Sequence, residues 1–170
     1  MKKTKHLTFC GLMVAMSIII LLLGGITQVI DLTAVVICAM IIFVVHEELK
    51  YSSLLVYVAT AVLTFALLSR REIGVEYVIF AIYPVLKPIF EKTGKFLSTL
   101  IKIIFMMVMS VLLTLLFRYV FVTGDMWYVD LIFCVGLIAC YFLFDVALTR
   151  FKPYYHFNLR QKLRIDRFFR

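Results

Sequence analysis

VEYVIFAIYPVLKPIFE, residues 75–91, is the stretch on which the reading of the chain turns. It is apolar enough to cross a bilayer, yet Glu76 stands near one end and Lys87 near the other, with Pro84 and Pro88 between and beyond. A proline inside a helix removes a backbone donor and crowds the preceding turn. In lipid the freed carbonyls need partners from neighbouring helices or water, so a proline-bent helix belongs inside a bundle or beside a cavity. Lys87 either snorkels to the headgroups or pairs with an acid.

Working outward, three apolar segments precede this stretch and two follow it. The six candidate spans are residues 7–30, 32–45, 54–68, 75–90, 97–122 and 126–148. A crossing of the hydrocarbon core takes about 20 residues, so the second and third are short unless their flanks contribute. Of 170 residues, 64% are hydrophobic and 16% charged; an ordinary soluble domain is about half apolar and a quarter charged. The expected fold is an all-α integral membrane protein of six transmembrane helices in one compact bundle, the fourth kinked by its prolines. Residues 1–150 make the membrane domain and 151–170 a tail too short to build its own core.

The start, MKKTKHLTFCGLMVAMSIIILLLGG, is basic and then apolar like a signal peptide. No convincing small-x-small cleavage site follows, so it reads as a retained first span. Lysines and arginines gather at segment ends, as orientation signals do, so the net charge of +8 does not argue for nucleic acid. With the N-terminus inside, Lys2, Lys3, Lys5, Lys50, Lys87, Lys92, Lys95, Lys102 and the seven tail residues from Arg150 fall inside. Only Arg70, Arg71 and Arg118 fall outside. The basic excess marks the cytoplasmic side, which places both termini there; the expected location is a bacterial plasma membrane.

The outer connections then carry Asp31, Arg70, Arg71, Glu72, Glu76, Arg118, Asp125, Trp127 and Asp130. Tyr119, Trp127 and Tyr128 read as an interfacial aromatic belt or as a cap over a ligand. Asp31, Glu76, Tyr77, Arg118, Trp127 and Asp130 are the candidate ligand-binding set, with internal pairing such as Arg118–Asp130 as the plainer alternative. Asp145, about one turn before the inner edge, needs a partner because intramembrane carboxylates are costly. Lys87 at comparable depth is the preferred one and Arg150 the competitor. Gly11 and Ala15, four apart, make a small-residue face for packing within the bundle or for docking a second membrane subunit. Beyond Pro153, which ends or kinks the last helix, apolar Leu159, Leu163, Ile165 and Phe169 alternate with Arg160, Lys162, Arg164, Arg167 and Arg170. That pattern suits an amphipathic helix on an anionic inner leaflet, or a cytoplasmic partner.

Cys10, Cys38, Cys134 and Cys140 all fall in apolar segments without a Cys-x-x-Cys pair and read as small buried residues. No Gly-x-Ser-x-Gly, His-Glu-x-x-His or phosphate-cradling glycine loop is present. The expectation is no enzyme, no metal and no cofactor, with energy for any uphill transport supplied by another subunit.

The compact six-span plan, the short basic N-terminus running into LTFCGLMVAMSIII, and the Gly11-x-x-x-Ala15 face resemble the substrate-binding S component of energy-coupling factor transporters. The resemblance covers most of the chain in topology and length; Gly11-x-x-x-Ala15 approximates the family's Ala-x-x-x-Ala pattern. It implies a partner transmembrane coupling subunit, two cytoplasmic ATPases, and an outward pocket for a vitamin-like small molecule. The competing reading is a non-catalytic membrane scaffold, similar in size to rod-shape proteins of the MreD type, with the tail and inner loops as working surfaces. A lipid-modifying enzyme is disfavoured by the lack of catalytic residues clustered on one membrane side.

Overall fold

A computed structural model describes residues 2–27, 31–50, 52–92, 94–121 and 127–159. They form six α-helices and, among the described residues, no strand: α1 (Lys2–Thr27), α2 (Asp31–Leu49), α3 (Ser52–Leu67), α4 (Arg71–Glu91), α5 (Lys95–Phe121) and α6 (Trp127–Tyr154). A π-helical turn, Tyr155–Leu159, follows α6. Five of the six helices are long and apolar enough to cross a membrane. The exception, α3, has 16 residues, a rise of about 24 Å against a hydrocarbon core of about 30 Å. Large apolar side chains such as Leu12, Ile19, Leu55, Val62, Ile132 and Leu143 stay exposed along these helices. In water such surfaces would drive association; a bilayer covers them, and the chain reads as a multi-pass membrane protein.

The helices extend the expected segments where polar residues supply ends. Asp31 opens α2, favourably placed against the positive end of the helix dipole, and α2 runs to Leu49 rather than stopping at residue 45. Lys50 then takes a left-handed backbone with φ 39°. Ser53 steadies this turn: its hydroxyl donates to the Lys50 carbonyl at 2.7 Å and lies 2.9 Å from His46 Nδ1. Gly94, with φ 95°, breaks the chain before α5 in a conformation open to glycine. Pro84 and Pro88 lie within a continuous α4. Pro153, expected to end or kink α6, sits inside its last turn; the backbone carries on into the π turn, so residues 151–159 are helical. Residues 160–170, including the expected amphipathic basic stretch, lie outside the described residues.

The chain forms two compact units. The first comprises residues 1–85 and 146–170, the second residues 86–145, so the division falls within α4 and α6. In the first, α1, α2 and α3 pack on one another. Its interior holds Leu21, Val35, Ala39, Ile42, Val56, Tyr77, Phe80, Leu148 and Tyr155, all essentially inaccessible. The second buries Met106, Leu113, Leu137, Tyr141 and Phe144, and pairs Phe90 with Phe105 and Phe117 with Phe133 at ring separations of 5.6 and 5.5 Å.

Candidate functional site

One end of the first unit gathers the C-terminal turns of α1, the start of α2 and the connection from α3 to α4. A cavity of about 190 Å³ lies there, lined by Leu22, Gly25 and Ile26 of α1 with Leu68, Arg70 and Ile73. Gly25 keeps it open: a Cβ there would stand 3.1 Å from the Ile73 terminal methyl. Arg70 holds two carboxylates, donating from Nη1 to Asp31 Oδ2 at 3.0 Å and from Nη2 to Glu72 Oε2 at 3.1 Å. Glu76 follows one turn after Glu72. Its Oε2, and Asp31 Oδ1, are enclosed without a hydrogen-bond partner. Three carboxylates thus share this end with Arg70, and two buried oxygens keep unspent acceptor capacity.

Of the other ligand-binding candidates, Tyr77 points elsewhere. Adjacent helical residues diverge by about 100°, and Tyr77 is fully buried with its ring stacked on Tyr57 at 6.0 Å. Arg118 and Asp130 belong to the second unit, where they pair with one another at 3.2 Å while partly exposed. Trp127 begins α6, but its side chain lies outside the described residues. The structure therefore brings Asp31 and Glu76 to one end, joins Arg118 to Asp130, and sets Tyr77 apart. Gly11 and Ala15 are exposed, with nothing within 4 Å of where a Gly11 side chain would begin. Among the described residues no helix packs against that face.

Lys87 and Asp145 meet inside the second unit. Lys87 Nζ donates to Asp145 Oδ1 at 2.6 Å and to the Asp145 carbonyl at 3.0 Å. Lys102 completes a square of charges, 3.7 Å from Asp145 and 3.2 Å from Glu91, which in turn lies 4.0 Å from Lys87. Two cations face two anions, and the Lys87 side chain is 4% exposed. Arg150 is not part of this square.

The opposite end of the first unit joins α2 to the last turns of the chain. Glu47 accepts from Lys152 at 2.9 Å and lies 3.2 Å from His156 Nε2; the Tyr155 hydroxyl donates to Glu48 at 2.9 Å. Phe43 meets the Phe151 ring edge-on at 6.5 Å. His46-Glu47-Glu48, by sequence a short polar turn between the second and third spans, is therefore an anchor for residues more than 100 positions later. Nothing local in the sequence signals that pairing.

A third polar group lies in the first unit's interior, of which the sequence marked only Tyr77 as a ligand-binding candidate. Ser17, Thr60 and Tyr77 are fully buried with their side-chain oxygens unpartnered. An unsatisfied buried hydroxyl costs about 1–3 kcal/mol, so three at once are a heavy charge on a protein whose whole stability is roughly 5–15 kcal/mol. The signal was available: Ser17 and Thr60 are isolated hydroxyls in otherwise apolar runs. Among the described residues no group of three or more His, Cys, Asp or Glu could hold a metal ion. No protein-family model, curated protein or solved structure matches this chain.

Proposed function

We propose that the chain is the membrane-embedded solute-binding subunit of an ATP-driven importer for a vitamin-like micronutrient, resembling the S component of energy-coupling factor transporters. In this reading all six helices cross the membrane, α3 by tilting or by local thinning, and both termini face the cytoplasm. Pro84 and Pro88 bend α4. The cavity beside Arg70 then opens to the exterior, where solute arrives. The observation that carries the proposal is that cavity, bordered by Arg70, with Asp31 and Glu72 as the arginine's partners and the enclosed oxygens of Asp31 and Glu76 at the same end of the unit left unsatisfied. A purely structural charge cluster has no need of surplus acceptors. The uncovered Gly11/Ala15 face supplies a place for a coupling subunit. The chain itself performs no covalent chemistry, and separate cytoplasmic ATPases drive it.

One observation favours the scaffold alternative. Arg118–Asp130 and Arg70–Asp31–Glu72 occupy much of the charge at these helix ends with internal partners, as a protein without a ligand requires. Purification from native membranes in mild detergent, with mass spectrometry of copurifying subunits and small molecules, separates the two. The importer reading expects a membrane coupling subunit, ATPases and a bound solute. Recovery of cell-wall or division proteins with no solute would overturn it.

A further inference from the structure

The cavity at the Arg70 end of the first unit has a volume of about 190 Å³, and its walls are aliphatic: Leu22 and Ile26 of α1 with Leu67, Leu68 and Ile73. Leu68 and Ile73 are buried and close its inner side, whereas Ile26 and Leu67 are 76% and 56% exposed at its rim. A molecule can therefore enter from the surface. An apolar cavity of about 150 Å³ takes benzene, so this one has room for a single ring, or a short aliphatic body, with one polar group. Gly25 leaves that room: a Cβ there would stand 3.1 Å from Ile73 Cδ1 and 3.7 Å from Leu68 Cδ2.

The polar side chains on the lining are Ser69 and Arg70. The charge of Arg70 is already answered by Asp31 at 3.0 Å and Glu72 at 3.1 Å. Its hydrogen bonding is not. A guanidinium carries five N–H donors, and the two contacts take one from Nη1 and one from Nη2. Arg70 thus lines the cavity with donors to spare and no uncompensated charge. An anion there would stand beside Asp31 and Glu72 without a counter-charge of its own, and an ammonium would lie against the guanidinium; either charge is costly to bring out of water. A neutral oxygen accepts from Arg70 without that penalty.

We propose that the solute of this site is uncharged: a single ring or short aliphatic body held by Leu22, Ile26, Leu68 and Ile73, carrying a carbonyl or hydroxyl oxygen that accepts from Arg70. The inference rests on the importer reading, which supplies a solute and an outward opening, and it narrows the chemistry of what is carried.

The test uses the full chain in lipid nanodiscs with methyl-labelled isoleucine, the Ile73 δ1 signal being assigned by its loss in Ile73→Val. Four probes that share one ring are titrated at neutral pH: benzamide, toluene, benzoate and benzylamine. Benzamide should move the Ile73 methyl saturably. Toluene, which offers no acceptor, and the two charged probes should each need about tenfold higher concentration, since a hydrogen bond to a charged group or an unpaired charge is worth about 1.5–3 kcal/mol. In Gly25→Leu, which fills the space while keeping the helix, the response to benzamide should vanish, as judged at the neighbouring isoleucine methyls. Preference for benzoate or benzylamine, or equal binding of toluene, overturns the class assigned here while leaving the cavity a solute site and the importer reading intact. No saturable shift with any probe, or the same shift in Gly25→Leu, means that the probes enter only the lipid and overturns the inference; copurification of coupling subunit and ATPases then judges the importer reading separately.

Discussion

Two charge clusters are built into apolar helices here, and they are closed to different degrees. Around Lys87 in the second unit, two cations answer two anions, and the buried ammonium donates to both the carboxylate and the backbone carbonyl of Asp145. Around Arg70 in the first unit, one guanidinium answers Asp31 and Glu72, while Glu76 stands by with a buried oxygen unsatisfied. In the first arrangement every charge has an opposite partner within 4.0 Å. The second retains two enclosed acceptor oxygens, and its arginine lines a cavity. A balanced network is the signature of structure and an unbalanced one the signature of a site, and substitution should affect the two in opposite ways.

The largest effect belongs to the balanced cluster. Asp145→Ala leaves Lys87 buried without its main partner, and breaking a buried pair costs about 3–5 kcal/mol. Because Asp145 keeps 20% exposure, the low end applies, a fall in Tm of about 6–12 °C in a thermal melt of the detergent-solubilised protein. The double variant Lys87→Met/Asp145→Leu should recover much of that loss. If it melts as low as Asp145→Ala, the network does more than compensate charge.

Glu47→Ala comes next. It releases Lys152 and His156 from α2 and should cost roughly 1.5 kcal/mol for lost charge-assisted hydrogen bonds. Limited proteolysis with trypsin should then cut after Arg150 faster than in the parent, and an unchanged rate would mean that Glu48 and the Phe43–Phe151 contact hold the segment alone.

The unbalanced cluster should respond the other way. Glu76→Gln removes a surplus charge beside Asp31 and Glu72, and should hold Tm constant or raise it by about 2 °C, a gain of up to about 1 kcal/mol. The same variant should lose copurifying solute. A destabilisation as large as that of Asp145→Ala would erase the distinction between the clusters. The smallest effect is expected at Arg118→Ala, where a partly exposed pair contributes about 0.2–1 kcal/mol, readable as a Tm change near the error of the melt.

What the sequence disclosed follows from which forces act locally. Runs of apolar residues long enough to span lipid mark the helices, and the shortness of residues 54–68 reappears in the 16 residues of α3. Lys87 and Asp145 stood out because a charge in an apolar run is expensive wherever it lies, so each asks for a partner. The partners of Arg70 and Glu47 were hidden, since they come from other helices and depend on which faces meet. Asp31 was singled out for its place in a connection, yet its bond to Arg70 spans 39 positions. Glu48 finds Tyr155 across 107. That Ser17 and Thr60 lack partners could not be read from sequence, because a lone hydroxyl in a helix ordinarily bonds its own preceding turn; the structure leaves both oxygens without that bond.

The central claim is that the acid-rich end holding Asp31, Arg70 and Glu76 faces the exterior while the end holding Lys50 and Glu47 faces the cytoplasm. Ser69 and Lys50, both exposed at opposite ends of the first unit, report on this directly as Ser69→Cys and Lys50→Cys in a background with the four native cysteines replaced. A membrane-impermeant maleimide applied to intact cells should label the Ser69→Cys protein at once and the Lys50→Cys protein only after permeabilisation. Labelling of Lys50→Cys in intact cells, with Ser69→Cys protected, would contradict the account.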